Sequence, residues 1–104
     1  MEDKCACDMR GMLSFYILWL LLKRPMHGEE LADEIGFRRG EKPKSGTIYP
    51  ALKDLKKREL IKGERQGKII IYSLTPEGKK SIKYALEYFY KSYGEIVEDY
   101  KKNK

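Results

Sequence analysis

Ile82, Leu86, Phe89, Tyr93, Ile96 and Tyr100 recur at spacings of 4-3-4-3-4. Such a stripe returns to one face only if the chain is helical, and a heptad repeat of this kind is a seam for another helix. Ala85 and Val97 widen it. Thr75-Pro76-Glu77 opens the segment in the order N-cap, first-turn proline, first-turn acid. A helix from Pro76 to about Lys101 is roughly 25 residues, or about 38 Å long. The whole chain has 104 residues, enough for one core. So long a helix cannot pack fully on so small a body: its start packs locally and its later half, with the N-terminal helix, is expected to pack on a second chain, with packing of the stripe on Met12 to Leu22 as the plain alternative. Gly94 interrupts it at a cost of about 1 kcal/mol and permits a bend or a close helix approach.

The upstream segments are shorter. From about Asp8 to Lys23 the apolar residues Met12, Leu13, Tyr16, Ile17, Trp19, Leu20 and Leu21 cover more than one helical face, as in a central buried helix. Arg24-Pro25 ends it, because a residue before proline is pushed out of the helical region. A second helix is expected from about His27 to Ile35, with Leu31 and Ile35 on one face, His27 at its start and Gly36 as its C-terminal cap. Phe37 to Lys44 then reads as a basic loop punctuated by glycine and proline. A third helix is expected over about Ser45 to Glu59, capped by Ser45 or Thr47. Pro50 favours the later start, since proline is tolerated only near the first turn. Ile48, Ala51, Leu52 and Leu55 share one face; Gly46, Pro50, Lys53 and Lys57 share the opposite one. Thr47 and Asp54 lie on one flank, Tyr49 and Lys56 on the other. A hairpin follows, with arms Ile61 to Arg65 and Lys68 to Leu74 and a turn at Gln66-Gly67.

The order is three helices, a two-stranded ribbon and a long helix. This predicts a mainly α chain with a two-stranded β-wing: a winged helix-turn-helix over 8–75 and a coupling helix over 76–104, in one compact unit. In that architecture the third helix enters the major groove of DNA and the ribbon tip reaches backbone or minor groove.

Charge follows the same division. The net charge of +6 is unevenly spread. Between Arg38 and Lys68 there are 11 Lys/Arg against 4 Asp/Glu, an excess of +7; the remainder has 11 against 12, or −1. Duplex DNA is a dense array of phosphate charge, so affinity needs Lys and Arg. Lys53 and Lys57 are candidates for phosphates or base edges. Ser45, Thr47 and Tyr49 stand at the helix start, where hydroxyls and the helix dipole suit phosphate, although Tyr49 also borders the core face. Arg38, Arg39, Lys42 and Lys44 reach the backbone from the loop, and Arg65 and Lys68 from the wing. An ordinary solvated basic face is the plain alternative, and an interaction module for an acidic partner protein is the alternative function.

Other classes find little material. The longest apolar run, Met12 to Leu22, is 11 residues and contains Ser14 and Tyr16, whereas a membrane span needs about 20. The acidic start and the absence of a small-residue cleavage site argue against a signal peptide. A cytoplasmic location is expected. Cys5 and Cys7 are too close for an unstrained bridge and precede the first patterned segment. With His27 they form a thin soft-metal set or a redox pair; idle thiols are the plainer reading. With one histidine and no nucleophile or acid–base set and no Walker loop, an enzyme is not expected, nor is any cofactor or metal.

Pro25-Met26-His27-Gly28-Glu29-Glu30-Leu31 and Ser45-Gly46-Thr47-Ile48-Tyr49-Pro50-Ala51-Leu52 resemble the PadR-like winged-helix transcriptional regulators. The second stretch is similar to that family's S-x-G-T-x-Y-P-x-L signature, with Ser45 here directly adjoining Gly46. Leu74-Thr75-Pro76-Glu77-Gly78 also matches. The resemblance spans about residues 10 to 100 and is closest to the short-tailed members with a single helix after the wing. The family's usual Gly-Tyr is Gly28-Glu29 here. The resemblance implies a homodimeric DNA-binding regulator, usually a repressor, acting on a near-palindromic operator and coupled through its last helix. The seam is assigned to Leu13, Ile17, Leu86, Phe89, Tyr93, Ile96 and Tyr100. In some relatives, aromatic residues at the dimer centre line a pore for flat hydrophobic compounds. Trp19 is the residue placed for such an effector, with core packing as its plain alternative.

Overall fold

In the computed structural model, which describes residues 12–103, the first helix carries the core. Helix α1 (Leu13–Lys23) buries Leu13, Ile17, Leu18, Leu20 and Leu21, more than one face, as its all-round apolar sequence requires. It ends where Arg24, ahead of Pro25, becomes extended. The expected residues 8–11 of this helix, and Cys5 and Cys7, lie outside the described residues.

Strand β1 (Met26–His27) follows and was not expected from the sequence. Two residues are too few to show a period. Its place comes from pairing, with Met26 opposite Tyr72 and His27 opposite Ile71. His27 then caps α2 (Gly28–Arg39) through a capping box. Its Nδ1 accepts from the Glu30 amide at 3.3 Å, and Glu30 Oε1 accepts from the His27 amide at 3.3 Å.

Helix α2 runs one turn further than the sequence suggests. Gly36 is inside it, and the left-handed cap is Gly40 (φ +84°), whose amide donates to the Gly36 carbonyl at 2.8 Å. Phe37, Arg38 and Arg39 are therefore helical and the loop before α3 is short. Gly36 serves a different end: a Cβ there would lie 2.9 Å from Lys42 Cα, so its bareness lets the returning chain pass closely.

Helix α3 (Ser45–Lys57) starts earlier than Pro50 implied. Lys44 occupies the cap position without a side-chain cap, and its carbonyl accepts from the Thr47 and Ile48 amides at 2.9 and 3.0 Å. Pro50 sits inside the helix, where the acceptor it deprives is the carbonyl of exposed Gly46, open to water. The helix closes in a Schellman motif. The Leu60 amide donates to the Leu55 carbonyl at 3.0 Å and the Glu59 amide to that of Lys56 at 2.9 Å, with Glu59 at φ +62°.

Strands β2 (Ile61–Gln66) and β3 (Ile69–Leu74) pair antiparallel from Ile61–Leu74 to Gln66–Ile69. The turn is thus Gly67-Lys68, one residue later than expected. Positive φ falls at Gly67 (+65°) and not at Lys68, the pattern of a type II′ turn. With β1 they form a three-stranded sheet, order β1-β3-β2. Helix α4 (Pro76–Lys102) opens on Thr75, whose Oγ1 accepts from the Gly78 amide at 3.0 Å and donates to the Glu59 carbonyl at 2.7 Å.

One cluster holds these parts together: Ile17 and Leu20 from α1, Leu31 and Ile35 from α2, Ile48, Leu52 and Leu55 from α3, Ile61 from β2 and Ile82 from α4. Three helices capped by a small sheet with an outstretched hairpin make a winged helix-turn-helix. The core seats α3 by one face, and the hairpin leaves the same body as a wing.

Candidate nucleic-acid interface

Helix α3 spends Ile48, Leu52 and Leu55 on the core, so its 3.6-residue period turns the opposite side outward. Ser45, Gly46, Thr47, Tyr49, Pro50, Lys53, Lys56 and Lys57 are exposed. No carboxylate pairs with Lys44, Lys53, Lys56 or Lys57 among the described residues. Arg58 beyond them is paired with Asp54 at 3.0 Å. Lys56, on the flank with Tyr49, is not among the cations expected to contact phosphate, yet it is exposed like Lys53 and equally without a carboxylate partner among the described residues. With no side-chain cap, the first amides of α3 are left for water or an anion.

Arg39, Lys42, Lys44 and Thr47 border one shallow cleft with Pro43 and Glu41. Lys42, Lys44, Ser45 and Tyr49 border the next, with Glu29 and Ala32. Tyr49 separates this from a third groove reaching the wing, lined by His27, Gly28, Glu29, Lys68, Ile69, Ile70 and Tyr72. The residues expected at the turn, the start of α3 and the wing therefore adjoin one another around Tyr49. Arg65 lies on β2 beside the turn, and its Nη1 donates to the Gly67 carbonyl at 3.4 Å.

Tyr49 does two things. It is 44% exposed, and its ring lies against Gly28, where a Cβ would meet the phenol oxygen at 2.6 Å. The tight fit at Gly28 explains a glycine in the first turn of α2. Behind it, Tyr72 is buried, and burial, with Tyr49 nearby, pushes its phenol above the usual tyrosine range.

Two of the expected contacts are engaged within the chain itself. Arg38 donates to the Glu34 carboxylate and, at 3.0 Å, to the Glu34 carbonyl. Its guanidinium also lies 5.4 Å from the Trp19 ring centre. It faces α1 rather than the α3 surface, because α2 remains helical past Gly36. Lys42 donates to the Glu29 carboxylate and lies 2.9 Å from that of Asp33. The Glu29 and Asp33 carboxylates raise its pKa above the ordinary lysine value.

The long helix presents the other surface. Phe89 stacks on Phe15 of α1 at 5.5 Å and touches Tyr93 at 5.2 Å, while Leu86 packs on the core edge. Beyond this point α4 leaves the body: Ile96 is 63% exposed and Val97 and Tyr100 are also exposed. Leu13 and Ile17, expected at a seam, are instead buried in their own chain's core, because α1 is the central helix. Trp19 is half-buried. Its ring meets Tyr16 edge-on at 5.9 Å and lies under Lys23 Nζ at 4.5 Å, so its own chain already packs it.

No three metal-binding side chains gather among the described residues, and no helix there is long and apolar enough to cross a membrane. No curated protein sequence matches the chain. Solved structures do. A transcriptional regulator from Clostridium thermocellum is similar at 28% identity and a TM-score of 0.75, over 86% of this chain and 94% of that one. A PadR-like transcription factor from Bacteroides fragilis is similar at 28% and 0.72, over 86% and 90%. A PadR family transcription regulator from Clostridium difficile is similar at 27% and 0.71, over 84% and 99%. A family model described as the transcriptional regulator PadR-like family matches residues 17–84. A match over well more than half of the sequence, on a winged helix with a basic α3 face, places this chain in the PadR-like family of transcriptional regulators.

Proposed function

We propose that the chain is a homodimeric, sequence-specific DNA-binding repressor that reads the major groove with α3 and touches the flank with the β2–β3 wing. The observation that carries this reading is the set of unpaired cations around α3. Arg39, Lys44, Lys53, Lys57 and Lys68 have no carboxylate partner among the described residues, and Ser45, Thr47 and Tyr49 stand exposed among them. A helix projecting such a face suits the width of the major groove. Lys56 is added to the contact set, and Arg38 and Lys42, each paired with carboxylates of α2, are removed from it. Repression follows from the family resemblance. Pairing of two copies is supported by the apolar stripe of α4, whose Tyr93, Ile96, Val97 and Tyr100 are too much apolar surface to leave wet.

The test is binding to duplexes from the chain's own promoter against scrambled duplexes, across a salt series. The expected result is preference for one near-palindromic site and affinity that falls steeply with salt. Equal affinity for promoter and scrambled DNA at moderate salt would overturn sequence-specific reading. Repression is checked by transcription from that promoter in vitro with and without the protein.

A further inference from the structure

Lys42 stands in the middle of the surface proposed to face DNA, bordering clefts with Arg39, Lys44, Ser45 and Thr47. Its ammonium is nevertheless committed to Glu29 and Asp33. These two residues are four apart on α2 and so share a face. The trio carries a formal charge of −1 where Lys42 alone would carry +1. Glu29 also borders the groove between Tyr49 and the wing's Lys68. A basic surface therefore holds a carboxylate near its centre. Neither acid is needed for the core: their side chains are 59% and 62% exposed, and exposed ion pairs stabilise a fold by little.

We propose that Glu29 and Asp33 withhold Lys42 from phosphate and thereby limit the sequence-independent part of DNA affinity. This rests on the DNA-binding reading above. Non-specific affinity grows with the number of phosphates neutralised, whereas base contacts carry the sequence information. Removing one cation from the phosphate count lowers binding to every duplex alike. It thus leaves the preference for the right site resting on the α3 contacts, against a large excess of wrong ones.

The experiment is a salt titration of binding to a scrambled duplex by four proteins: wild type, Glu29→Gln/Asp33→Gln, Lys42→Gln and the triple variant. All three side chains are exposed, so the variants keep their core. Each phosphate contact contributes about 0.9 to the slope of log affinity against log salt. Releasing Lys42 is expected to steepen the slope by about 0.9, equivalent to about 3.5-fold more loss of affinity between 50 and 200 mM salt. Lys42→Gln alone is expected to leave the slope unchanged, and the triple variant to return to it. A flatter slope for Lys42→Gln alone would show Lys42 already on phosphate and overturn the proposal. So would a steeper slope that survives in the triple variant, since the gain would then be long-range repulsion relieved. An unchanged slope or weaker binding in the Gln pair would overturn it as well. Failure of the underlying DNA reading is distinct: wild type alone would show no salt-dependent duplex binding.

Discussion

Gly78 is in the first turn of α4, and a Cβ built on it would lie 1.9 Å from the Leu60 carbonyl oxygen. That oxygen is fixed, since it accepts the Thr75 amide at 3.1 Å. Gly78→Ala must therefore part α4 from the end of α3, and is expected to destabilise by about 3 kcal/mol. Thermal unfolding would show it as a fall of roughly 10–20 °C. Glu59 is the opposite case. It holds a left-handed φ of +62° with a side chain that the conformation disfavours. Glu59→Gly is expected to raise stability by about 0.5–1 kcal/mol in urea unfolding, and a loss would mean its carboxylate has a role beyond the cap. Glu30 gives a pH dependence. Its carboxyl is held below the usual range first by the Arg24 guanidinium, 2.9 Å away, and by the His27 amide. A depressed carboxyl contributes above its unfolded pKa and loses that contribution as pH falls through the folded one. Glu30→Gln keeps the capping geometry and removes the charge. It is expected to cost no more than about 0.5 kcal/mol at pH 7, because the pair is exposed, and nothing once Glu30 is protonated. Denaturation at pH 7 and at strongly acidic pH compares the two. The glycine roles depend on what comes to lie against them: Gly78 on Leu60, and Gly36 on Lys42. A glycine says that a side chain is unwelcome, without saying what stands in its way.

Elements were more legible than their ends. The all-round apolar run of α1, the apolar periods of α3 and α4 and the isoleucine run of β3 identify all four, because each pattern follows from what the element must bury. Ends depend on competition. Gly36 is both a stop signal and a gap for a neighbouring backbone, and the second use wins here, so α2 reaches Arg39. Pro50 marks an early turn, yet the helix tolerates it because the deprived carbonyl faces water. Strand β1 is defined by the partner it pairs with and carries no period of its own. The candidate site suffers from the same ambiguity. Sequence charge picks out its cations, but whether Arg38 and Lys42 face outward or meet Glu34, Glu29 and Asp33 is decided by the extra turn of α2. The α3 face itself follows directly from its period, so it carries the element-scale prediction. A Lys53→Ala, Lys57→Ala double variant is expected to fold normally, since both side chains are exposed. It should bind its operator more weakly, with a salt slope flattened by about 1.8 if both contact phosphate. Unchanged binding would mean that another face of the molecule meets the nucleic acid.

At the scale of the molecule, length and shape decide. The longest dimension is 48 Å against 30 and 28 Å for the others. A 27-residue helix is about 40 Å long at 1.5 Å per residue. Its first half is tied down by Ile82, Leu86 and Phe89, and its last third carries Ile96, Val97 and Tyr100 outward. Of the described residues expected at the seam, those that remain accessible lie on α4, because Leu13 and Ile17 are consumed by the chain's own core. A second copy meeting this stripe about a two-fold axis would bury matching heptad positions and set two α3 helices side by side. Two reading heads of one dimer gain from linkage: once one half-site is held, the second binds at high effective concentration. The expected solution mass is therefore twice the 12.2 kDa of one chain. Ile96→Asp should shift the protein toward monomer without unfolding it, since that side chain touches no core residue of its own protomer. Affinity for a site with two half-sites about 34–36 Å apart should then collapse toward that for a single half-site. Sedimentation and operator titration on the same samples separate the outcomes. A variant that stays dimeric would place the seam away from Ile96. A monomeric wild type with full operator affinity would show that one head suffices, and that α4 is exposed for another reason.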